Sequence, residues 1–117
     1  MKASEANELI EKIQKSLKKE LEVDKVVKML KDLRPFALEE EDPLVTKVIR
    51  LSYEHIAESE SFQFMSGAEE DEEGEIIEVE PGEDHENLSY LLELLKRSDN
   101  KINREEIKEF RTALKEY

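Results

Sequence analysis

The stretch DPLVTKVIRLSYEHIA, residues 42–57, decides the fold class of this chain. Asp42 is a favoured helix N-cap, and Pro43 suits the first helical position, where no backbone N–H is needed. Glu39, Glu40 and Glu41 come just before, on the side where a helix dipole favours negative charge. From there Val45, Val48, Ile49, Tyr53 and Ile56 recur at intervals of three and four, the buried stripe of a helix over 43–58. Ile49 lies centrally on that stripe and is expected among the most buried residues. The pattern fades after Ala57.

The same period extends outward in both directions. Upstream, Val23, Val26, Val27, Leu30 and Leu33 mark a helix over 23–34. Arg34-Pro35 is expected to end it, because proline donates no hydrogen bond and biases the residue before it away from helical backbone. Phe36 and Leu38 then read as an apolar connector. Before that, Ala6, Leu9, Ile10, Ile13 and Leu17 mark a helix over 4–20 with Ser4 as N-cap. Its Glu8–Lys12 and Glu11–Lys15 pairs are each worth about 0.2–0.5 kcal/mol. Downstream, Leu88, Leu91, Leu92 and Leu95 give a helix over 84–97, and Ser98 to Lys101 gives a turn. A last helix over 103–116 follows, with Asn103 as N-cap, Glu106 completing a capping box, and Ile107, Phe110, Leu114 and Tyr117 facing inward. These last two helices should form an αα-hairpin. None of the five stripes is apolar all round, so each needs the others. The fold expected is mainly α: a small single-domain bundle of about five helices over residues 1–117.

Between the third and fourth helices lies an acidic insertion, residues 61–83. Residues 61–86 hold eleven acids and no Lys or Arg, while the whole chain has a formal charge of −13. The remainder is therefore close to balanced. So many carboxylates cannot share a core, and the block must face solvent or a partner. At one end Phe62-Gln63-Phe64 alternates apolar and polar residues, and at the other Glu75-Ile76-Ile77-Glu78-Val79-Glu80 is rich in β-formers, around a glycine-flanked acidic centre. That pattern reads either as a short β-hairpin or as a solvated loop. The basic N-terminal and C-terminal regions would be weakly attracted to this middle, in the same molecule or in a neighbour.

Composition narrows the function. The absence of cysteine excludes disulfides, thiol catalysis and thiolate metal sites. No apolar run approaches the roughly 18 residues that span a bilayer, and the first residues lack the apolar core of a secretory signal. A cytoplasmic location without membrane attachment is the expectation. Net acidity opposes direct nucleic-acid binding, which needs clustered Lys and Arg. With three glycines there is no phosphate-cradling loop, and no nucleophile–base pair or metal motif is recognisable. Residues 99–106 resemble half of an EF-hand loop, but neither possible register puts oxygen ligands at the required positions. They read as a helix stop, a turn and a helix start. His55 and Glu58 share a helix face, yet two ligands do not make a metal site. His55 and His85 both read as surface residues.

The reading is therefore not an enzyme, with no cofactor and no metal. It is a small cytosolic protein-interaction module presenting its acidic segment to a basic protein surface. Glu69, Glu70, Asp71, Glu72 and Glu73 would steer the encounter, and Phe62, Phe64 and Met65 at the edge would supply contact energy. Two alternatives belong to other classes. An acidic nucleic-acid mimic could block a DNA-binding protein, although it would need carboxylates spaced over an extended surface. A weak divalent-cation binder would use the run Glu69–Glu73, although adjacent residues point in different directions. The sequence leaves the oligomeric state open.

Overall fold

Five helices account for most of the residues described by the computed structural model, which are 1–64, Glu69–Glu70, Ile76–Ile77 and 82–116. They are α1 (Ser4–Ser16), α2 (Val23–Glu39), α3 (Pro43–Ser59), α4 (Asp84–Lys96) and α5 (Lys101–Glu116). The helices are mutual neighbours in the cyclic order α1, α2, α3, α5, α4, which returns to α1. The chain thus closes a ring around one core, to which every helix contributes fully buried side chains. The ring order has a consequence for connectivity. Helices α3 and α4, consecutive in sequence, flank α5 in space, so the link between them must cross the position that α5 fills.

The stripes read from the sequence are the buried faces. Ala6, Ile10, Ile13 and Leu17 line the core from the first helical region; Val26, Leu30, Leu33 and Ala37 do so from α2, and Ile107, Phe110 and Leu114 from α5. Helix α3 is buried on the widest arc, from Leu44 to Ile56, and Ile49 is 1% exposed. Asp42 caps it as expected, accepting from the Val45 N–H at 3.3 Å. The same carboxylate receives both terminal nitrogens of Arg104, at 2.9 and 3.2 Å, so the start of α3 is tied to the first turn of α5. Burial pushes the Asp42 carboxyl up, but the hydrogen bonds from Arg104 and from Val45 outweigh it and hold the group below its ordinary 3.8. Lys31 of α2 lies 5.6 Å from the Tyr53 ring centre of α3, a cation–π contact across the pair. Among the described residues no helix is long and apolar enough to cross a membrane.

Three helices differ from the sequence reading at their ends. Helix α1 stops at Ser16 rather than near residue 20, and Ser4 is its first residue, with Ala3 in the cap position. Helix α2 runs through Pro35 to Glu39. Ala37 extends the buried stripe by another step of four, and Pro35 and Lys31 are both exposed. The hydrogen bond that proline removes is therefore on the solvent side, where water replaces it. The chain turns off the end of α2 two residues later, at Glu41, which takes a left-handed backbone (φ 55°). The Glu41 N–H bonds Leu38 O and the Asp42 N–H bonds Ala37 O, the crossed pair of a Schellman end. Helix α5 begins at Lys101, not Asn103, and Asn100 caps it by accepting from the N–H groups of Ile102 and Asn103 at 2.9 and 3.2 Å. Glu106 accepts from the Tyr90 hydroxyl of α4 at 2.6 Å, within the expected α4–α5 hairpin. Tyr117, expected to face inward, lies outside the described residues.

Candidate functional site: the foot of the acidic insertion

The insertion leaves α3 through a second left-handed residue. Glu60 has φ 55°, and its N–H bonds Ile56 O at 2.8 Å, which turns the chain sharply off the helix. Phe62-Gln63-Phe64 then alternates as the sequence suggests, with Gln63 outward and both phenylalanines inward. Phe62 is 0% exposed and Phe64 9%. Phe62 stacks on Phe110 of α5 with ring centres 6.2 Å apart and planes 17° apart. The crossing over α5 is therefore made by an aromatic side chain set into the core. Phe64 meets Phe62 edge-on at 5.4 Å and His55 of α3 at 4.7 Å.

Two residues at the start of α4 fasten both ends of the insertion. Asp84 accepts from the Phe62 N–H at 3.1 Å and from the Gln63 side-chain amide. Asn87, 4% exposed, donates to Phe62 O at 2.8 Å and to Gly82 O at 3.0 Å. One side chain thus bonds the chain entering the insertion and the chain leaving it. The helix geometry explains the pair: Asp84 and Asn87 are three apart and share the face that α4 turns toward the stem.

Phe62 and Phe64 are therefore not exposed edge residues, as the sequence reading has them, but core residues that anchor the segment. The large apolar volume beside two helix ends was the available signal, since buried phenylalanine is commoner than exposed. Of the other expected contact residues, Met65, Asp71, Glu72 and Glu73 lie outside the described residues. Glu69 and Glu70 pair antiparallel with Ile77 and Ile76 in a ladder two residues long. A ladder that short does not by itself establish the hairpin, and the rest of the segment lies outside the described residues.

His55 also differs from its expected surface position. It is 9% exposed, with Phe64 against its ring. Burial pushes its pKa below the ordinary 6.5, against the opposing pull of Glu58 and Asp84. Beside the stem, Glu83, His85 and Glu86 bring ligand atoms within 4.8 Å of one another. Glu83 and His85 are 3.6 Å apart, and Glu83 and Glu86 are open to solvent. Their place in the first turn of α4 is where the helix dipole favours carboxylates, which accounts for the acids without an ion. Asp99 to Glu106, weighed above against a calcium loop, form the turn and first helical residues between α4 and α5.

Comparison with family models, with curated proteins and with solved structures finds no match for this chain. Its functional reading stands on the geometry of the stem and on the charge of what the stem carries.

Proposed function

We propose that this chain is a non-catalytic cytosolic interaction module whose helical ring presents the acidic insertion to a basic surface on a partner protein. One observation carries the reading. A segment with nine acids and no Lys or Arg, residues 61–83, is fastened at both feet to the same turn of α4, through Asp84 and Asn87. Fixing the feet shortens the range a charged segment explores and lowers the entropy lost when it binds. The charge then steers encounter, over a range set by the Debye length of about 8 Å at physiological salt. Because Phe62 and Phe64 belong to the core, the contact energy falls to Met65, Ile76, Ile77 and Val79 within the segment itself. The nucleic-acid mimic is less favoured, since the acids gather in one segment and the rest of the chain is nearly neutral.

The test compares proteins retained from extract by the immobilised full chain and by a variant with Glu69, Glu70, Glu72 and Glu73 changed to Gln and Asp71 to Asn. The native chain should retain basic proteins that high salt releases, and the variant should not. The same proteins on both would overturn the proposal.

A further inference from the structure

A groove of about 420 Å³ lies between the end of α2 and the start of α3, at the end of α3 away from the insertion. Its walls carry Arg34 from α2 and Lys47 and Arg50 from α3, and Leu38 stands at its edge, 52% exposed. Glu41 and Asp42 also line it, but Asp42 is already bound by Arg104. The Arg34 Nε is shielded from water and donates to no group among the described residues. Beside the groove, Arg111 and Lys115 of α5 come close to Lys47.

The cations of this face are gathered against the interest of the fold. Lys47, Arg50, Arg111, Lys115 and Arg34 take part in none of the ion pairs among the described residues, in a chain with 31 acids. The sequence withholds helical acidic neighbours from Lys47 and Arg111. The positions three and four away from Lys47 hold Pro43, Leu44, Arg50 and Leu51; those around Arg111 hold Ile107, Lys108, Leu114 and Lys115. Arg111 and Lys115 are themselves an i,i+4 like-charge pair, which disfavours the helix. Lys115, Arg111 and Arg50 together hold the Lys47 ammonium below its ordinary value, with Lys115 contributing most. An anion on this face relieves that repulsion.

We propose that this groove is a docking site for a short acidic segment of a partner polypeptide, in which carboxylates flank one large apolar side chain. Arg34, Lys47 and Arg50 take the carboxylates, and Leu38 takes the apolar side chain. Clustered arginines suit carboxylates because the guanidinium offers parallel N–H donors. A peptide is favoured over nucleic acid for two reasons. Duplex DNA carries a charge every ~1.7 Å and is repelled by a chain of net charge −13, whereas a peptide with a few carboxylates is repelled less. Nucleic-acid backbone also makes no use of an exposed leucine. This site goes beyond the insertion: it lies at the other end of α3 and takes a ligand of opposite charge.

The test is a titration of the full chain with a short fluorescent glutamate-rich peptide carrying one leucine, followed by anisotropy. A glutamine-for-glutamate twin is the control. The native chain should bind the glutamate peptide saturably and the twin much more weakly. Lys47→Glu with Arg50→Glu should weaken binding on the order of tenfold. Arg111→Glu with Lys115→Glu, on a different helix, and Leu38→Ser should each weaken it too. Lys12→Glu with Lys15→Glu on α1 should not. Unchanged helical circular dichroism for each variant separates loss of the site from loss of the fold. Failure of the native chain to bind, equal binding of the twin, or indifference to both charge reversals would overturn the proposal. So would tighter binding of a single-stranded oligonucleotide, or a dimer abolished by the groove reversals, which would make a second copy the occupant.

Discussion

The side-chain amide of Asn87 donates to the carbonyl of Phe62 at 2.8 Å, across 25 positions of sequence. Its second bond, to Gly82 O, closes the other side of the stem. Both acceptors lose their partner in Asn87→Ala, and leaving buried polar groups unpaired costs about 1–3 kcal/mol. Amide exchange at the stem should quicken more than exchange in α2, measured by hydrogen exchange. Uniform acceleration across all helices would mean the bond serves the whole core and not the stem.

Phe62→Ala should destabilise the chain by about 3–5 kcal/mol, as expected for truncating a fully buried aromatic. Ile49→Ala on the central helix should cost about 2–5 kcal/mol. Denaturant unfolding checks both. A Phe62 variant within about 0.5 kcal/mol of native would place that ring at the surface.

Asp42 does two jobs, and two substitutions separate them. Asn at this position still caps a helix but cannot pair with Arg104, whereas Ala does neither. Asp42→Asn should therefore lose only the ion pair, and Asp42→Ala should lose about 1 kcal/mol more for the cap. The folded carboxyl lies below 3.8, so its contribution is full above that value and is lost as pH falls through the folded pKa. Stability of the Asn variant should lack that part of the acid-side loss. Equal stability of the Asn and Ala variants would show that the cap contributes nothing.

His55 gives a second pH window of separate origin. Its folded pKa is below 6.5 because burial disfavours the charged ring. The unfolded chain then binds the proton first, so stability is full above 6.5 and declines as pH falls from there toward the folded pKa. His55→Gln, measured by thermal unfolding between mildly basic and mildly acidic pH, should flatten that part of the profile. An unchanged slope would assign the effect to other groups.

Helix period carried most of the architecture. The stripe from Val45 to Ile56 and the Asp42-Pro43 start are local features, and both hold in the fold. What the sequence left open was set by distant contacts. Pro35 could stay inside α2 only because Ala37 had a core to reach and the lost bond faced water. Asn103 reads as the cap of the last helix, with Asn100 in the turn before it, but Asn100 makes the capping bonds and Ile102 is left 74% exposed. Phe62 and Phe64 could have faced either way, since alternation marks two faces without saying which is buried. Their burial follows from the ring order, in which α5 separates α3 from α4 and offers Phe110 to the crossing chain. The cationic groove was illegible for the same reason: Arg34, Lys47 and Arg111 come from three helices whose neighbours are known only once the ring has closed.

The central claim is that the acidic segment is carried by the fold and does not build it. The most direct test is the thermal midpoint of the chain with Glu69, Glu70, Glu72 and Glu73 changed to Gln and Asp71 to Asn. Removing five like charges reduces self-repulsion and deletes no side chain of the core, so the midpoint should stay the same or rise. A cooperative transition lowered by more than about 10 °C, on the order of 2 kcal/mol for a domain of this size, would contradict the claim by making those carboxylates structural.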